Sequence, residues 1–229
     1  MSTDGDWRAI AREKARFFGD VSAAISHEIN NRIAVIYEKA GLLEDLASML
    51  AKGKEVDPER FGVQSRKIVE QVRLAKEIVR NLNRFAHSVD VEHTTVNIQE
   101  LLEFVAELYG RKAVMADATL SVAASSQPLT MNANPYTLEL LVGRALDIAL
   151  TKVGESAEVT ISAKATDVGV QLRFGGLTDV TEPIDFPEAE RGAPATYEWL
   201  GARFRSDSDG TALLLEIPHH EHLSQGRSA

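Results

Sequence analysis

A long proline-free stretch from residue 9 to residue 51 is the feature that most constrains the fold of this chain. Only Gly19 and Gly41 interrupt it. Along the stretch, apolar residues recur at spacings of seven or of four and three, at Phe18, Ile25, Ile29, Ile36, Leu43 and Leu50. This heptad-like period predicts one long helix with an apolar stripe.

A second helix is predicted from Pro58 to about Ser88, with Asp57 as its N-cap and Pro58 at the first helical position. Its apolar residues again fall in rows seven apart, at Phe61, Ile68, Ala75 and Leu82, with Ile78 and Phe85 in the neighbouring row. A short connection around Gly53 joins the two helices, which predicts an antiparallel hairpin. Folding such a hairpin about residue 55 would bring residue 27 level with roughly residue 83.

Two helices that each carry an apolar stripe cannot bury both stripes against one another. Pairing two copies of the hairpin makes a four-helix bundle and buries both. We therefore expect a homodimer formed through the helical hairpin.

The charge changes along the chain near residue 90. Residues 1–90 carry 15 basic and 14 acidic side chains, whereas residues 91–229 carry 10 basic and 20 acidic ones. We predict a helical hairpin over residues 1–90, an α/β sandwich over residues 91–218 and a polar tail over residues 219–229, so that the fold class is α+β.

Helical and strand-like patterns alternate in the second part of the chain. A helix is predicted from Asn97 to Tyr109, opened by a capping-box spacing, and an apolar helix from Pro135 to about Val153. The segments TLSVAA and PLTMNA are predicted as short strands, AEVTISAKA and VGVQLRF as a hairpin around Asp167–Gly169, and ARFRS and TALLLEIP as a closing hairpin. A short helix is predicted around TYEWLGA.

Composition excludes several classes of protein. The chain has no cysteine, which excludes a disulfide framework, a thiolate zinc site and a cysteine nucleophile. Its net charge of −9 disfavours nucleic-acid binding. Since the chain has neither a run of about 18 apolar residues nor an apolar signal-peptide segment at its start, we expect a cytoplasmic protein that does not enter a membrane.

The hexapeptide SHEINN, residues 26–31, lies in the first predicted helix. It resembles the H-box of histidine kinases, in which an acid follows the phospho-accepting histidine and an asparagine or threonine stands four residues after it. The resemblance implies that His27 accepts a phosphoryl group and that Glu28 and Asn31 occupy the matching catalytic places. Arg32 stands where the family usually has proline, which removes the usual bend of the helix.

The helical period supports a role for His27 independently. Ile25 and Ile29 belong to the apolar stripe, and two residues correspond to about 200° of rotation, so His27 points outward. An imidazole nitrogen is a competent nucleophile for a phosphoryl group, and a neighbouring carboxylate can hold the other ring N–H. The alternatives are an exposed histidine without a task and a metal site; the latter lacks the second histidine of H-E-x-x-H.

The second part of the chain resembles the ATP-binding domain of histidine kinases in layout but not in its nucleotide-binding residues. Ile148 stands at the place of the family's magnesium-binding asparagine, with Arg144 one turn earlier, and Phe174 stands at the place of the adenine-binding aspartate. The glycine-rich lid of the family has no counterpart. The sequence therefore predicts a degenerate domain that binds neither ATP nor another cofactor, and we expect magnesium only on the partner protein.

Basic residues form a stripe on the second helix, at Arg66, Arg73 and Arg80, with Lys76 and Arg84 beside them. Such a stripe is either a solvated helix face or a docking surface for the receiver domains of response regulators, which bind near this place in histidine-kinase relatives. The histidines at 219, 220 and 222 with Glu221 are predicted to be a solvent-exposed tail rather than a metal site.

The resemblance and the missing nucleotide residues together indicate a histidine phosphotransferase of a two-component phosphorelay. It would take a phosphoryl group from a receiver aspartate onto His27 and pass it to another receiver without ATP. Three alternatives remain open: a response-regulator phosphatase in which Asn31 orients a water, a non-catalytic dimeric scaffold or sensor, and an ATP-dependent kinase with divergent nucleotide residues.

Overall fold

The computed structural model describes residues 3–125, 127–155, 157–184, 197 and 201–219. The chain divides into two compact units. One comprises Asp20–Ala86, and the other comprises Met1–Gly19 together with His87–Ala229. The first helix crosses the division at residue 19, so its amino-terminal part belongs to the second unit.

Two long helices form the predicted hairpin. Helix α1 spans Thr3–Ala51 and helix α2 spans Pro58–Ser88, so both predicted helices are confirmed. Gly53 ends the first helix with a φ of 74°, a left-handed conformation that glycine adopts without steric cost. The carboxylate of Asp57 accepts a hydrogen bond of 2.9 Å from the amide of Glu59, as the predicted N-cap requires.

The hairpin unit has few buried apolar side chains. Those that the structure buries are Val21, Ile25, Leu46 and Phe85. Large apolar side chains remain exposed on both helices, at Ile33, Tyr37, Leu42, Leu50, Val69, Val72 and Val79. A single hairpin therefore leaves much of its apolar surface in contact with water.

Among its described residues, the second unit contains a five-stranded sheet, a two-stranded sheet and the helices α3 and α4, which confirms the predicted α+β class. The elements are β1 Thr94–Asn97, α3 Ile98–Met115, β2 Thr119–Val122, β3 Thr130–Ala133, α4 Pro135–Thr151, β4 Glu158–Thr166, β5 Gly169–Gly175, β6 Arg203–Ser206 and β7 Ala212–Pro218. Strands β1 and β3 pair antiparallel and form the small sheet.

The strand order of the large sheet is β2-β4-β5-β7-β6. Strand β2 is parallel to β4, and the other neighbours are antiparallel. Side chains that alternate along the strands form the core beneath α3 and α4; Ile161 lies opposite Phe174, and Phe174 lies opposite Leu213. This row of three buried side chains crosses the middle of the sheet.

Two features differ from the sequence-based expectations. Helix α3 begins where predicted, because the Asn97 side chain accepts hydrogen bonds from the amides of Gln99 and Glu100, but it continues to Met115 rather than ending near Tyr109. Strand β1 was not predicted, because a short polar segment such as HTTVN carries no alternating apolar signal. Of the predicted helix around TYEWLGA, only Tyr197, Gly201 and Ala202 are described, and the tail from residue 220 lies outside the described residues.

Among the helices of the described residues, none has an uninterrupted apolar stretch of the length that a bilayer crossing requires.

Candidate functional site

The SHEINN segment lies in the continuous helix α1, within the hairpin unit. Ile25 is buried and Ile29 is half-buried, whereas His27 is exposed. This agrees with the outward phase expected for the histidine, because a side chain two positions from a buried one lies on the opposite side of the helix. Among the described residues, no hydrogen bond or ion pair holds the imidazole.

The acid next to His27 is paired with another residue. Nη2 of Arg32 donates a hydrogen bond of 3.2 Å to Oε1 of Glu28, and Nη1 of Arg32 donates one of 3.4 Å to Oε1 of Gln71 on α2. The expected hydrogen bond between Glu28 and the imidazole is absent from the described residues. The carboxylate of Glu28 turns toward the next helical turn because the guanidinium there attracts it.

Asn31 is exposed one helical turn after His27, on the same side of α1. Its side-chain amide can donate and accept hydrogen bonds. A group that docks on His27 from solvent would therefore meet the amide of Asn31 as well as the imidazole.

The Arg32–Gln71 contact indicates how the two helices are aligned. Arg32 follows His27 by five residues, and Gln71 lies between Arg66 and Arg73 on α2, so this contact joins the H-box part of α1 to the part of α2 that carries the basic stripe.

The basic residues of α2 differ in their surroundings. Arg66 forms an ion pair with Glu59, one of the acidic residues of the same helix. Arg73, Lys76 and Arg80 are exposed and have no ion pair within the described part of the chain. Arg84 is exposed too, but it has an interaction of its own. Three cations of the stripe are thus available to a partner.

Apolar side chains accompany these cations, a feature that the sequence analysis did not single out. Val69, Val72 and Val79 lie on the neighbouring rows of α2 and are exposed. On α1, Ile33 is exposed and Tyr37 has 82% of its surface in solvent. Exposed aromatic and aliphatic residues beside charges are typical of protein-binding surfaces.

The two residues that the resemblance sets at nucleotide-binding places lie in the α/β unit. Ile148 is buried on α4, and Phe174 is buried in strand β5. Arg144 has only 2% of its side chain exposed, and its Nε donates a hydrogen bond of 2.7 Å to Glu13 of α1. The amino-terminal part of α1 therefore covers α4 at this point.

Arg144 belongs to a balanced network of charges. Its Nη1 lies 2.9 Å from Oδ2 of Asp147, and Nζ of Lys112 lies 2.8 Å from Oδ1 of the same carboxylate. With Glu13, the network has two positive and two negative groups. The ring of Phe17 lies 5.5 Å from the guanidinium carbon of Arg144, at a distance where a cation and an aromatic face attract each other.

Gly143 permits this close packing of α1 on α4. A Cβ atom at that position would lie 2.6 Å from the ring of Phe17 and 2.8 Å from the hydroxyl of Tyr109. Nearby, the hydroxyl of Tyr136 donates a hydrogen bond to the carbonyl oxygen of Lys14. Burial and, to a smaller extent, the charge of Glu139 raise the pKa of Tyr136 above its usual range.

Among the described residues, no group of three or more histidine, aspartate or glutamate side chains is arranged to hold a metal ion. Of the histidines at the carboxyl end, only His219 is described.

Histidine kinases are found among solved structures similar to this chain, as the H-box resemblance led us to expect. One is histidine kinase ThkA in complex with the response regulator protein TrrA, with 16% identity, a TM-score of 0.45 and coverage of 92% of this chain and 64% of that one. Another is the Acinetobacter baumannii histidine kinase AdeS, with 13% identity, a TM-score of 0.42 and coverage of 80% and 95%. The ATP-binding domain of PrrB from Mycobacterium tuberculosis has 21% identity, a TM-score of 0.41 and coverage of 56% and 98%.

The sequence matches no protein-family model, and it matches none of the curated proteins at a significant level.

Proposed function

We propose that the chain is a histidine phosphotransferase that accepts a phosphoryl group on His27 from a receiver aspartate and passes it to a second receiver without using ATP. The observation that carries the proposal is the exposed imidazole of an H-box on a long helix, in a hairpin whose other helix carries three available cations. A receiver domain has a carboxylate-rich active site, which such cations attract.

The transfer itself needs few groups from this chain. An unprotonated ring nitrogen of His27 attacks the phosphorus of the aspartyl phosphate, a P–N bond forms, and the P–O bond to the receiver carboxylate breaks. The proton on the other ring nitrogen can leave to solvent, since the side chain is exposed. The second transfer reverses these bonds on another receiver. Positioning supplies most of the rate in such a reaction, and the magnesium ion is a ligand of the receiver.

Residues of the α/β unit support the part of the proposal that the chain does not use ATP. Ile148 and Phe174 are buried apolar side chains where magnesium and adenine would need polar groups, and Glu13 engages Arg144 on the same helix. A nucleotide would also meet a domain with twice as many acidic as basic side chains. Titration calorimetry with ATP and magnesium should show no saturable heat up to millimolar concentration, and micromolar binding would refute this part of the proposal.

The proposal includes a homodimer. The hairpin exposes apolar side chains on both helices, and a second hairpin offers the surface that can cover them. Two active histidines per assembly follow from the two-fold symmetry.

The test is a transfer assay with receivers that have been phosphorylated with a radiolabelled small phosphodonor. The wild-type protein should acquire an acid-labile, base-stable label and pass it to a second receiver when no ATP is present. His27→Gln should abolish both steps while changing the free energy of unfolding by less than about 0.5 kcal/mol, because the side chain is exposed. His87→Gln is the matched control, since His87 is exposed on α2 outside the H-box.

Persistent transfer by His27→Gln would refute the proposal. If the wild-type protein binds receivers but never becomes labelled, the chain is a scaffold. If it only accelerates loss of phosphate from the receiver, and Asn31→Ala removes that activity, the chain is a phosphatase.

A further inference from the structure

An open groove lies between helix α3 and strand β2 in the α/β unit. Its volume is about 540 Å³. Leu120 and Val122 of the strand form one side, and residues spaced three and four apart on the helix form the other. The groove contains neither His27 nor the network around Arg144, so the proposed phosphotransfer does not account for it.

Strand β2 presents unused backbone hydrogen-bonding groups to this groove. The amides of Thr119 and Ala123 donate to the carbonyl oxygens of Ala157 and Ile161, each over 2.8 Å, on the side of β4. In a parallel strand the N–H and C=O of alternate residues point to opposite sides, so those of Leu120 and Val122 point away from β4. Among the described strands, none pairs with β2 on that side.

The helical side of the groove has small residues in the middle. Ala106 and Gly110 lie there, and a Cβ atom added to Gly110 would meet no atom within 4 Å. Glycine inside a helix is less stabilising than alanine. Nothing in the packing requires a glycine at this position, but its lack of a side chain keeps the groove open.

One end of the groove is acidic and the other end is apolar. Glu103 and Glu107 line one end; Oε1 of Glu103 accepts a hydrogen bond of 2.8 Å from the neutral amide of Gln99, and Glu107 has an interaction of its own. Among the described residues that line the groove there is no lysine or arginine. At the other end Val114 lines the groove with 71% of its surface exposed, and Met115 next to it is 75% exposed. A ligand that fits therefore has hydrogen-bonding backbone, apolar side chains and positive charge.

We propose that this groove binds an extended, apolar and basic segment of a partner protein by strand addition to β2. The segment pairs its backbone with Leu120 and Val122, places alternate apolar side chains over Ala106 and Gly110, and brings a lysine or arginine to the carboxylate of Glu103. A second copy of this chain is disfavoured as the occupant, because its own groove would bring two further carboxylates to the same place.

The first experiment selects random twelve-residue peptides, displayed on phage, on the immobilised full-length protein. Peptides with lysine or arginine next to alternating apolar residues should be enriched on the wild type. They should not be enriched on Gly110→Leu, because the Cβ at this position has open space around it and the longer side chain extends into the groove. Gly41→Leu is the matched control, because Gly41 is also a helical glycine with open space around it but lies in the hairpin unit.

The second experiment measures binding of the most enriched peptide in solution by fluorescence anisotropy. Gly110→Leu and Glu103→Lys/Glu107→Lys should each raise the dissociation constant at least tenfold, and Gly41→Leu should leave it within twofold. Leu120→Pro should also weaken binding, because it removes an N–H that β4 does not use. Bound peptide should slow hydrogen exchange of the Leu120 and Val122 amides in the wild type.

Three outcomes would overturn the proposal: no peptide is enriched on the wild type, the enriched peptides are acidic, or Gly110→Leu binds them as well as the wild type does. Self-association of the wild type that Gly110→Leu abolishes would identify a second copy as the occupant and would overturn it too. Because His27 plays no part in this binding, His27→Gln should bind the peptide normally, so the result is independent of the proposed phosphotransfer.

Discussion

Nη2 of Arg32 lies 3.2 Å from Oε1 of Glu28, so the acid beside the candidate phosphoryl acceptor is already in an ion pair. Both side chains are about one-third exposed, and such a pair contributes only a few tenths of a kcal/mol to stability. Its consequence is chemical, since it takes the carboxylate away from the imidazole and partly neutralises its charge.

We therefore predict that Glu28→Gln changes the rate of transfer to His27 by less than about threefold in the wild-type background. In an Arg32→Ala background the carboxylate is released and can accept the imidazole N–H, so the same substitution should slow transfer by about tenfold or more. Rapid-quench measurements on the four proteins of this cycle give the coupling directly. Equal effects of Glu28→Gln in both backgrounds would show that Arg32 does not control the carboxylate.

The basic stripe leads to a prediction about association. Arg73→Glu/Arg80→Glu should reduce the rate constant for receiver binding by about tenfold or more at low salt and weaken its dependence on ionic strength, because two attractive charges become repulsive. Stopped-flow fluorescence with a labelled receiver measures both quantities. The control Arg60→Glu/Lys67→Glu makes the same change in net charge on other rows of α2 and should reduce the rate constant less. If both double variants reduce it equally, the reduction comes from net charge alone.

The buried pair of Glu13 and Arg144 leads to a prediction about stability. Glu13→Ala takes one carboxylate from a charged guanidinium that is only 2% exposed, so the free energy of unfolding should fall by about 3–5 kcal/mol. Glu13→Leu combined with Arg144→Met removes both charges and should be less destabilising than Glu13→Ala. Urea denaturation followed by circular dichroism measures each variant. If the double variant is less stable than Glu13→Ala, the unpaired guanidinium is not the cause of the destabilisation.

A prediction about alkaline pH follows from Tyr136. Burial raises the pKa of this tyrosine, so its stabilising effect is complete below the unfolded value of about 10 and is lost as the pH rises above it. The free energy of unfolding should fall more steeply between pH 10 and 11.5 in the wild type than in Tyr136→Phe. At pH 8 the variant should be less stable by about 1 kcal/mol, through the lost hydrogen bond to the Lys14 carbonyl. Parallel pH curves would exclude Tyr136 as the titrating group.

The homodimer can be tested by light scattering. The protein should have a mass twice that of its 25.1 kDa chain at micromolar concentration. Leu43→Glu places a charge in the apolar stripe of α1 and should raise the dimer dissociation constant about a hundredfold or more. Glu44→Lys, at the exposed neighbouring position, should leave the mass unchanged. A mass near that of one chain for the wild type would contradict the dimer.

The sequence predicted the helices of the hairpin well because their apolar residues recur over many turns. The spacing of Ile25 and Ile29 was sufficient to place His27 on the exposed side of α1. The partner of Glu28 could not be inferred in the same way, because both the imidazole beside it and the guanidinium one turn away were within reach. Only the coordinates show that Arg32 takes the carboxylate.

Contacts between distant parts of the chain were not predictable from local patterns. Glu13 and Arg144 are 131 residues apart, and neither belongs to a periodic stripe. A signal was nevertheless present, because an arginine in the apolar segment LLVGRALDIAL must have a partner if it is buried. Gly143, next to Arg144, allows α1 to pack closely on α4. A glycine in a helix does not reveal from the sequence which element packs against it.

Helix α1 is shared by both compact units, which changes how the molecule can be divided and recombined. A hairpin transplanted with all of α1 would carry Ile10 and Phe17, buried in this chain, without the surface that covers them. A fragment that starts at residue 91 would leave Arg144 without Glu13. A chimera that exchanges one unit for that of another protein must therefore keep the first 19 residues with the α/β unit. A chimera joined at residue 90 separates them, so it would not combine two intact units.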